Sequence, residues 1–261
     1  MLIAHASDLH LGRDAATDRA ARQLAVALED AGVAVTLVTG DVTHRGRQRE
    51  LDRFEACFAR LSAQHRVVTV PGNHDRLSED AGARLMSGLR VDVAARPGLH
   101  VVRLDSTAPH NRHLLASHGL LTPADVEAVV AAMDAAPEGA LAVVMLHHHL
   151  LPLPPDGLGE RLASALGWPS AEELSLGGAL LERLRGRCDL VLHGHRHVPS
   201  ELVLDADGDR PLRILNAGST TELGRVRVLS TRGGRLGEDG WLELDGGDTR
   251  PEAPAWVGAA A

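Results

Sequence analysis

A chain of 261 residues can bury a sizeable core as one large domain or two small ones, and 44% hydrophobic with 24% charged residues excludes a disordered or fibrous class. A net charge of -8, with two Phe, three Trp and no Tyr, argues against the basic track and stacking platforms of an extended nucleic-acid binder. No run approaches the roughly 20 apolar residues of a membrane helix, and the start MLIAHASDLHLG lacks the basic region of a secretory leader, so a cytoplasmic location is expected.

In chain order, MLIAHAS predicts a strand, DRAARQLAVALEDAG a helix stopped at Gly32, VAVTLVTG a strand, QRELDRFEACFARLSA a helix and HRVVTVPG a strand. This alternation predicts right-handed parallel crossovers, with functional loops at the carboxyl ends of the strands. Past residue 90, LHVVRLDS reads as a strand, TPADVEAVVAAMDAA as a helix with Thr122 as N-cap and Pro123 in its first turn, and ALAVVML as a buried strand. A Pro- and Gly-rich insert over 150–187 leads into the helical AEELSLGGALLERLRG. Strands follow at 188–193, near 201–205, and at 211–216, 225–229 and 241–244, with an Asp207-Gly208 turn signal. A parallel first half and a mostly antiparallel second half predict two packed sheets with outer helices. The expected organisation is one domain over 1–250, capped by 150–187, and a tail over 251–261. Cys57 and Cys188 have no C-x-x-C spacing and read as small buried hydrophobes.

Metal-ligating residue types follow five of these strands: Asp8 and His10, then Asp41, then Asn73, His74 and Asp75, then His147, His148 and His149, then His193, His195 and His197. Each alone has a plain reading, Asp8 and Asp41 as caps, Gly72-Asn73 as a turn, His147 as a core histidine. Together they are expected to converge on one sheet edge. Carboxylate, amide and imidazole donors suit a pair of cations, and two cations roughly 3.5 to 4 Å apart clamp the attacking and leaving oxygens of a phosphate ester.

The ordered blocks Asp8-Leu9-His10, Gly40-Asp41, Gly72-Asn73-His74-Asp75, His147 and Gly194-His195-Arg196-His197 resemble the calcineurin-like metallophosphoesterase superfamily over about residues 1–220. The resemblance implies an α/β fold, a four-layer α-β-β-α sandwich of two mixed β-sheets flanked by helices, holding two metal ions (Mn, Fe, Zn or Co). It implies Asp8, His10, Asp41 and His197 on one metal, with Asp41 bridging to a second held by Asn73, His147 and His195. His74 is then the group that contacts the phosphate and leaving oxygen, with Asp75 orienting it. Asn73, Arg45 and His148 are expected beside the substrate, His149 beside it or in support, His193 in support and His5 in the core. His44 stands where the protein-phosphatase branch carries an acidic residue, and the overall pattern is similar to the small bacterial branch that includes cyclic nucleotide phosphodiesterases. The activity implied is hydrolysis of phosphoesters; the excess of 35 acidic over 27 basic residues favours small soluble phosphodiesters, cyclic nucleotides among them, and Trp168 reads first as core packing and second as a stacking face for a base. The alternatives are a pyrophosphate hydrolase of a nucleotide-linked lipid precursor, a DNA-repair-type nuclease and a catalytically silent scaffold. A homodimer is left open.

Overall fold

The structure, a computed structural model, describes residues 1–86, 88–113, 116–151 and 174–244. Side-chain alternation along its strands separates three cores. In β1 (Leu2–Ala6), Ile3 faces one way and Ala4 and Ala6 the other. The outward face of this sheet packs on α1 (Ala15–Asp30), α2 (Gln48–Cys57) and α3 (Ala59–Ala63), through Leu24, Leu28, Phe54, Phe58 and Leu61. Its inward face meets the second sheet, where Ile3, Leu37 and Val70 join Val101, Val143 and Leu192. Beyond that sheet, α4 (Pro123–Asp134) and α5 (Gly177–Leu184) cover Val102, Val144 and Val191 with Val129, Met133 and Leu180. Helices, sheet, sheet and helices are the four expected layers.

The first sheet has the order β11-β10-β1-β2-β3, with β2 at Val35–Thr39, β3 at Val67–Val70, β10 at Arg225–Arg232 and β11 at Arg235–Glu243. The second runs β4-β5-β6-β7-β9-β8, from β4 (Val91–Arg96), β5 (Leu99–Leu104), β6 (Leu141–Met145) and β7 (Leu190–His193) to β8 (Ser200–Leu204) and β9 (Leu212–Asn216). Strands β1, β2 and β3 are parallel, as expected. The second half departs from its expected antiparallel character, because β5, β6, β7 and β9 are also parallel and only the edge strands β4 and β8 oppose them. The closing strands return to the first sheet, β10 pairing antiparallel with β1.

Local signals set several boundaries. Thr122 accepts from the Asp125 N–H while Asp125 accepts from the Thr122 N–H at 2.9 Å, a reciprocal cap with Pro123 behind it. The helix expected as one unit from Gln48 breaks at Phe58, whose ψ of 12° ends α2 and whose ring lies 4.7 Å from that of Phe54 in the core, tilted by 32°. Strand β4 has no counterpart among the expected elements; a Pro97-Gly98 turn with Gly98 at φ +75° folds it onto β5. Helix α5 begins only at Gly177, and β11 starts six residues earlier than expected, at Arg235. Most of the proposed cap, with Trp168, and the tail lie outside the described residues. Among the described residues no helix is long and apolar enough to cross a membrane.

Candidate metal centre

The five residue clusters meet at one end of the sandwich, across both sheets rather than on one sheet edge. Three follow β1, β2 and β3, and two follow β6 and β7. Beyond the sheet the first two loops stay zipped, with Asp8 N–H donating to Gly40 O at 3.1 Å, His10 to Asp41 O at 2.9 Å and Leu11 to Val42 O at 2.9 Å. Asp8, His10, Asp41, His195 and His197 all have positive φ, between 49° and 72°. They are five of the nine non-glycine residues with that backbone among the described ones. Left-handed backbone costs about 1 kcal/mol or more per residue, and its concentration here marks a site whose geometry is imposed from outside the local chain. Two glycines make room for the carboxylates. A Cβ at Gly72 would lie 2.2 Å from Asp41 Oδ1, and one at Gly194 would lie 1.8 Å from Ser7 Oγ and 2.5 Å from Asp8 Oδ2.

Asp41 stands between two groups of donors, its Oδ2 3.8 Å from His10 Nε2 and 3.5 Å from His147 Nε2. On one side, His197 Nε2 lies 3.1 Å from His10 Nε2 and 3.3 Å from Asp8 Oδ1. On the other, Asn73 Oδ1 lies 3.0 Å from His147 Nε2 and 3.1 Å from His195 Nδ1, and these two nitrogens are 3.3 Å apart. Tautomers follow from the opposite ring nitrogens. His147 Nδ1–H donates to Thr39 O at 2.8 Å and His197 Nδ1–H to Glu222 Oε2 at 3.2 Å, so each neutral ring turns an Nε2 lone pair inward. Converging lone pairs repel unless a cation lies among them, and the buried Asp8 Oδ1 has no hydrogen bond. Ligand atoms of Asp8, His10 and His197 lie within 4.8 Å of one another, as do those of Asp8, Asp41 and His147, of His147, His148 and His195, and of His10, His44 and His74. Oxygen and imidazole donors in this mixture fit transition metals.

The field here favours positive charge. Burial pulls the His147 imidazole down, but Asp41 and then Asp8 outweigh it and raise it to about 9. Burial likewise opposes, and the Asp8 and Glu222 carboxylates overcome, in raising His197 to about 9. His10 has less compensation, and burial takes it to about 4.

The other expected site residues divide. His74 is half-buried; its N–H donates to Asp41 Oδ1 at 2.8 Å, its Nδ1–H donates to His44 O at 2.8 Å, and its ring sits edge-on to His10 at 4.7 Å. Asp75 does not orient it. The Asp75 carboxylate turns away and accepts from the Thr43 N–H and O–H, both at 2.7 Å, from Gly72 N–H at 2.9 Å and from Val42 N–H at 3.2 Å. The carbonyl of His44 takes the orienting part instead. His148 lies beside the candidate ligands, its ring 4.9 Å from that of His195, and is buried and held by Ser106 Oγ and Ser117 O, each at 2.8 Å. Arg45 is exposed on the loop after β2. His193 is buried with its Nδ1 3.3 Å from Gly194 O, and His149 is buried and stacks on His195 at 5.8 Å. His5 lies in the inter-sheet layer, its Nε2 3.0 Å from Thr39 Oγ1. Cys188 is buried, and burial pushes its thiol up to about 12, whereas Cys57 is only half-buried. Thr39, Ser106 and Glu222 escaped the sequence reading. Thr39 adjoins the Gly40-Asp41 block, while Glu222 lies 25 positions beyond His197 with no motif to mark it.

No curated protein sequence matches this chain. Among solved structures, a dimetal phosphatase from Danio rerio aligns with a TM-score of 0.62 at 13% identity, covering 94% of this chain and 99% of that one. A protein from Thermus thermophilus aligns at 0.56 and 14% identity with the same two coverages. A purple acid phosphatase from yellow lupin seeds aligns at 0.60 and 11% identity, over 93% of this chain and 53% of its own length. At such identities these likenesses speak for the fold alone. The profile of the calcineurin-like phosphoesterases matches residues 1–199, a span that runs from β1 through His197 and takes in all five of the converging loops. The chain belongs to the calcineurin-like phosphoesterase family, whose members depend on a dinuclear metal centre to hydrolyse phosphoesters.

Proposed function

We propose that this protein is a phosphodiesterase of small soluble phosphodiesters, cyclic nucleotides among them. The reading rests on the Asp41 carboxylate, set between His10 at 3.8 Å and His147 at 3.5 Å with a donor group on either side. On this reading Asp8, His10, Asp41 and His197 hold one ion, and Asp41, Asn73, His147 and His195 hold the other. Bound there, Mn, Fe, Zn or Co would supply Lewis-acid stabilisation of the charge that develops on the phosphoryl oxygens. The chain's own groups position and protonate. With Nδ1–H committed to the His44 carbonyl, His74 exchanges protons at Nε2, and in its imidazolium form it gives the Nε2 proton to the departing alcohol oxygen and returns to the neutral ring. The Asp41 hydrogen bond to the His74 N–H keeps that ring in register with the bridging carboxylate. Arg45, exposed after β2, is assigned to a non-bridging phosphate oxygen, and the Asn73 amide to another.

Small substrates are favoured because 35 acidic against 27 basic residues provide no counterion-releasing track for a polymer. The test is steady-state turnover by metal-reconstituted protein of a cyclic nucleotide, a monoester, a nucleotide-linked pyrophosphate and single-stranded DNA at several salt concentrations. Preferential turnover of the cyclic diester supports the reading. DNA cleavage that weakens steeply with salt, or a preference for the pyrophosphate, would replace it.

A further inference from the structure

Beyond the residues matched by the family, the chain after β9 folds back over the first ligand loop. Thr220 N–H donates to Ser7 O at 3.0 Å, and Ser7 N–H donates to Thr220 Oγ1 at 3.0 Å. Ser219 Oγ donates to Asp8 O at 2.9 Å and Thr221 Oγ1 to Leu9 O at 3.1 Å, while Ser219 N–H reaches His197 O at 3.2 Å. The short helix α6 (Thr220–Leu223) is thus pinned to the backbone on both sides of Asp8 and to the loop of His197. It carries Glu222, whose Oε2 receives the His197 Nδ1–H at 3.2 Å and whose Oε1 is ion-paired with Arg13. Arg13 itself closes the His10 turn, its N–H donating to His10 O at 3.1 Å.

We infer that Glu222 is a positioning residue of the metal centre, and that the segment 216–224 is a working part of it. This rests on the dinuclear reading above. A carboxylate on the outer nitrogen of a ligand imidazole fixes the tautomer, orients the ring and makes the inner nitrogen a stronger donor. Support of this kind is uneven across the site. The outer nitrogen of His147 meets a neutral carbonyl, that of Thr39, and His10 Nδ1 is buried without a hydrogen bond. His197 alone of these three is backed by a carboxylate, so removal of Glu222 acts on the cluster of Asp8, His10 and His197 and spares that of Asn73, His147 and His195. Glu222 is 39% exposed, and its replacement leaves no buried hole.

The experiment is a two-site Mn(II) titration of full-length wild type, Glu222→Ala and Glu222→Gln, with free Mn(II) read by electron paramagnetic resonance. Imidazole 15N spectra of the Zn(II)-loaded proteins are recorded alongside, and unfolding midpoints in chelator confirm equal folding. Glu222→Ala weakens one of the two sites about 10- to 100-fold and leaves the other unchanged, and Glu222→Gln, which keeps a neutral acceptor, falls between. The Nδ1–H of His197 is shielded from exchange and gives a sharp resonance in wild type, and in Glu222→Ala it is broadened by exchange with water. Unchanged affinities, or equal weakening of both sites, would overturn the inference. Wild-type protein that binds fewer than two ions would overturn the dinuclear reading itself.

Discussion

Asp75 offers the sharpest test of how the site is built, because the geometry moves it from the chemistry to the architecture. Its Oδ1 takes the N–H and O–H of Thr43, and its Oδ2 takes the N–H groups of Gly72 and Val42. Asp75→Ala strands three buried backbone donors, while the Thr43 hydroxyl can turn elsewhere. At about 1 to 3 kcal/mol for each unsatisfied group, reduced where a water enters the space left behind, the loss comes to about 3 to 5 kcal/mol. That is a large share of the ~5 to 15 kcal/mol by which a domain is stable. Asp75→Asn is the more revealing change. Because each oxygen faces at least one backbone N–H, either orientation of the amide points its NH2 at a backbone donor; the orientation with NH2 toward Thr43, whose hydroxyl can turn to accept, is the less costly. We expect about 2 to 4 kcal/mol of destabilisation from this near-isosteric replacement. Urea unfolding in the presence of chelator measures it. An Asp75→Asn protein within about 1 kcal/mol of wild type would refute the reasoning, and a selective effect on esters with basic leaving groups would return Asp75 to the role of orienting His74.

Three further outcomes are expected. Asp41→Asn should empty both clusters and lower hydrolysis beyond the roughly 10- to 100-fold typical of an outer partner, as metal analysis and turnover would show; an active variant retaining two ions would contradict the bridging role. His74→Ala should slow esters of alcohols far more, by about 100-fold or more, than nitrophenyl esters, whose leaving group needs no proton; equal losses on both would reduce His74 to a positional part. Burial opposes ionisation of Asp125, but its hydrogen bonds to Arg90 and Thr122 prevail and hold its carboxyl below the usual range. A lowered folded-state value means stability that is present above the ordinary carboxylate range and lost as pH falls through the folded-state value. Asp125→Asn should therefore cost about 1 to 2 kcal/mol near neutral pH, the gap from wild type closing in acid.

Some of this molecule is written locally. The alternation of strand and helix from Leu2 to Val70, the Thr122-Pro123 helix start and the ordered placement of ligand types after strands depend on neighbours in sequence, and all were legible there. Parallel strands with crossover helices bring their carboxyl ends to a common side, so the order of blocks was enough to predict a shared site. What escaped depends on which surface covers which. The return of β10 to pair with β1 has no periodic signature, since β10 would pair as readily by its own pattern with a strand of the other sheet. The break at Phe58 obeys the demand of a ring for the core rather than helix propensity. Asp75 follows His74 directly, yet the two side chains leave the turn toward different loops, one to lock backbone donors and the other toward the ligands. Glu222 reaches His197 because four hydroxyl and amide contacts hold α6 against the backbone around Asp8. The sequence by itself determined the ligand chemistry and its order along the chain. Tertiary structure decided the left-handed backbone at Asp8, His10, Asp41, His195 and His197 and the partners of the outer nitrogens of His147 and His197, because both arise from contacts between loops far apart in sequence.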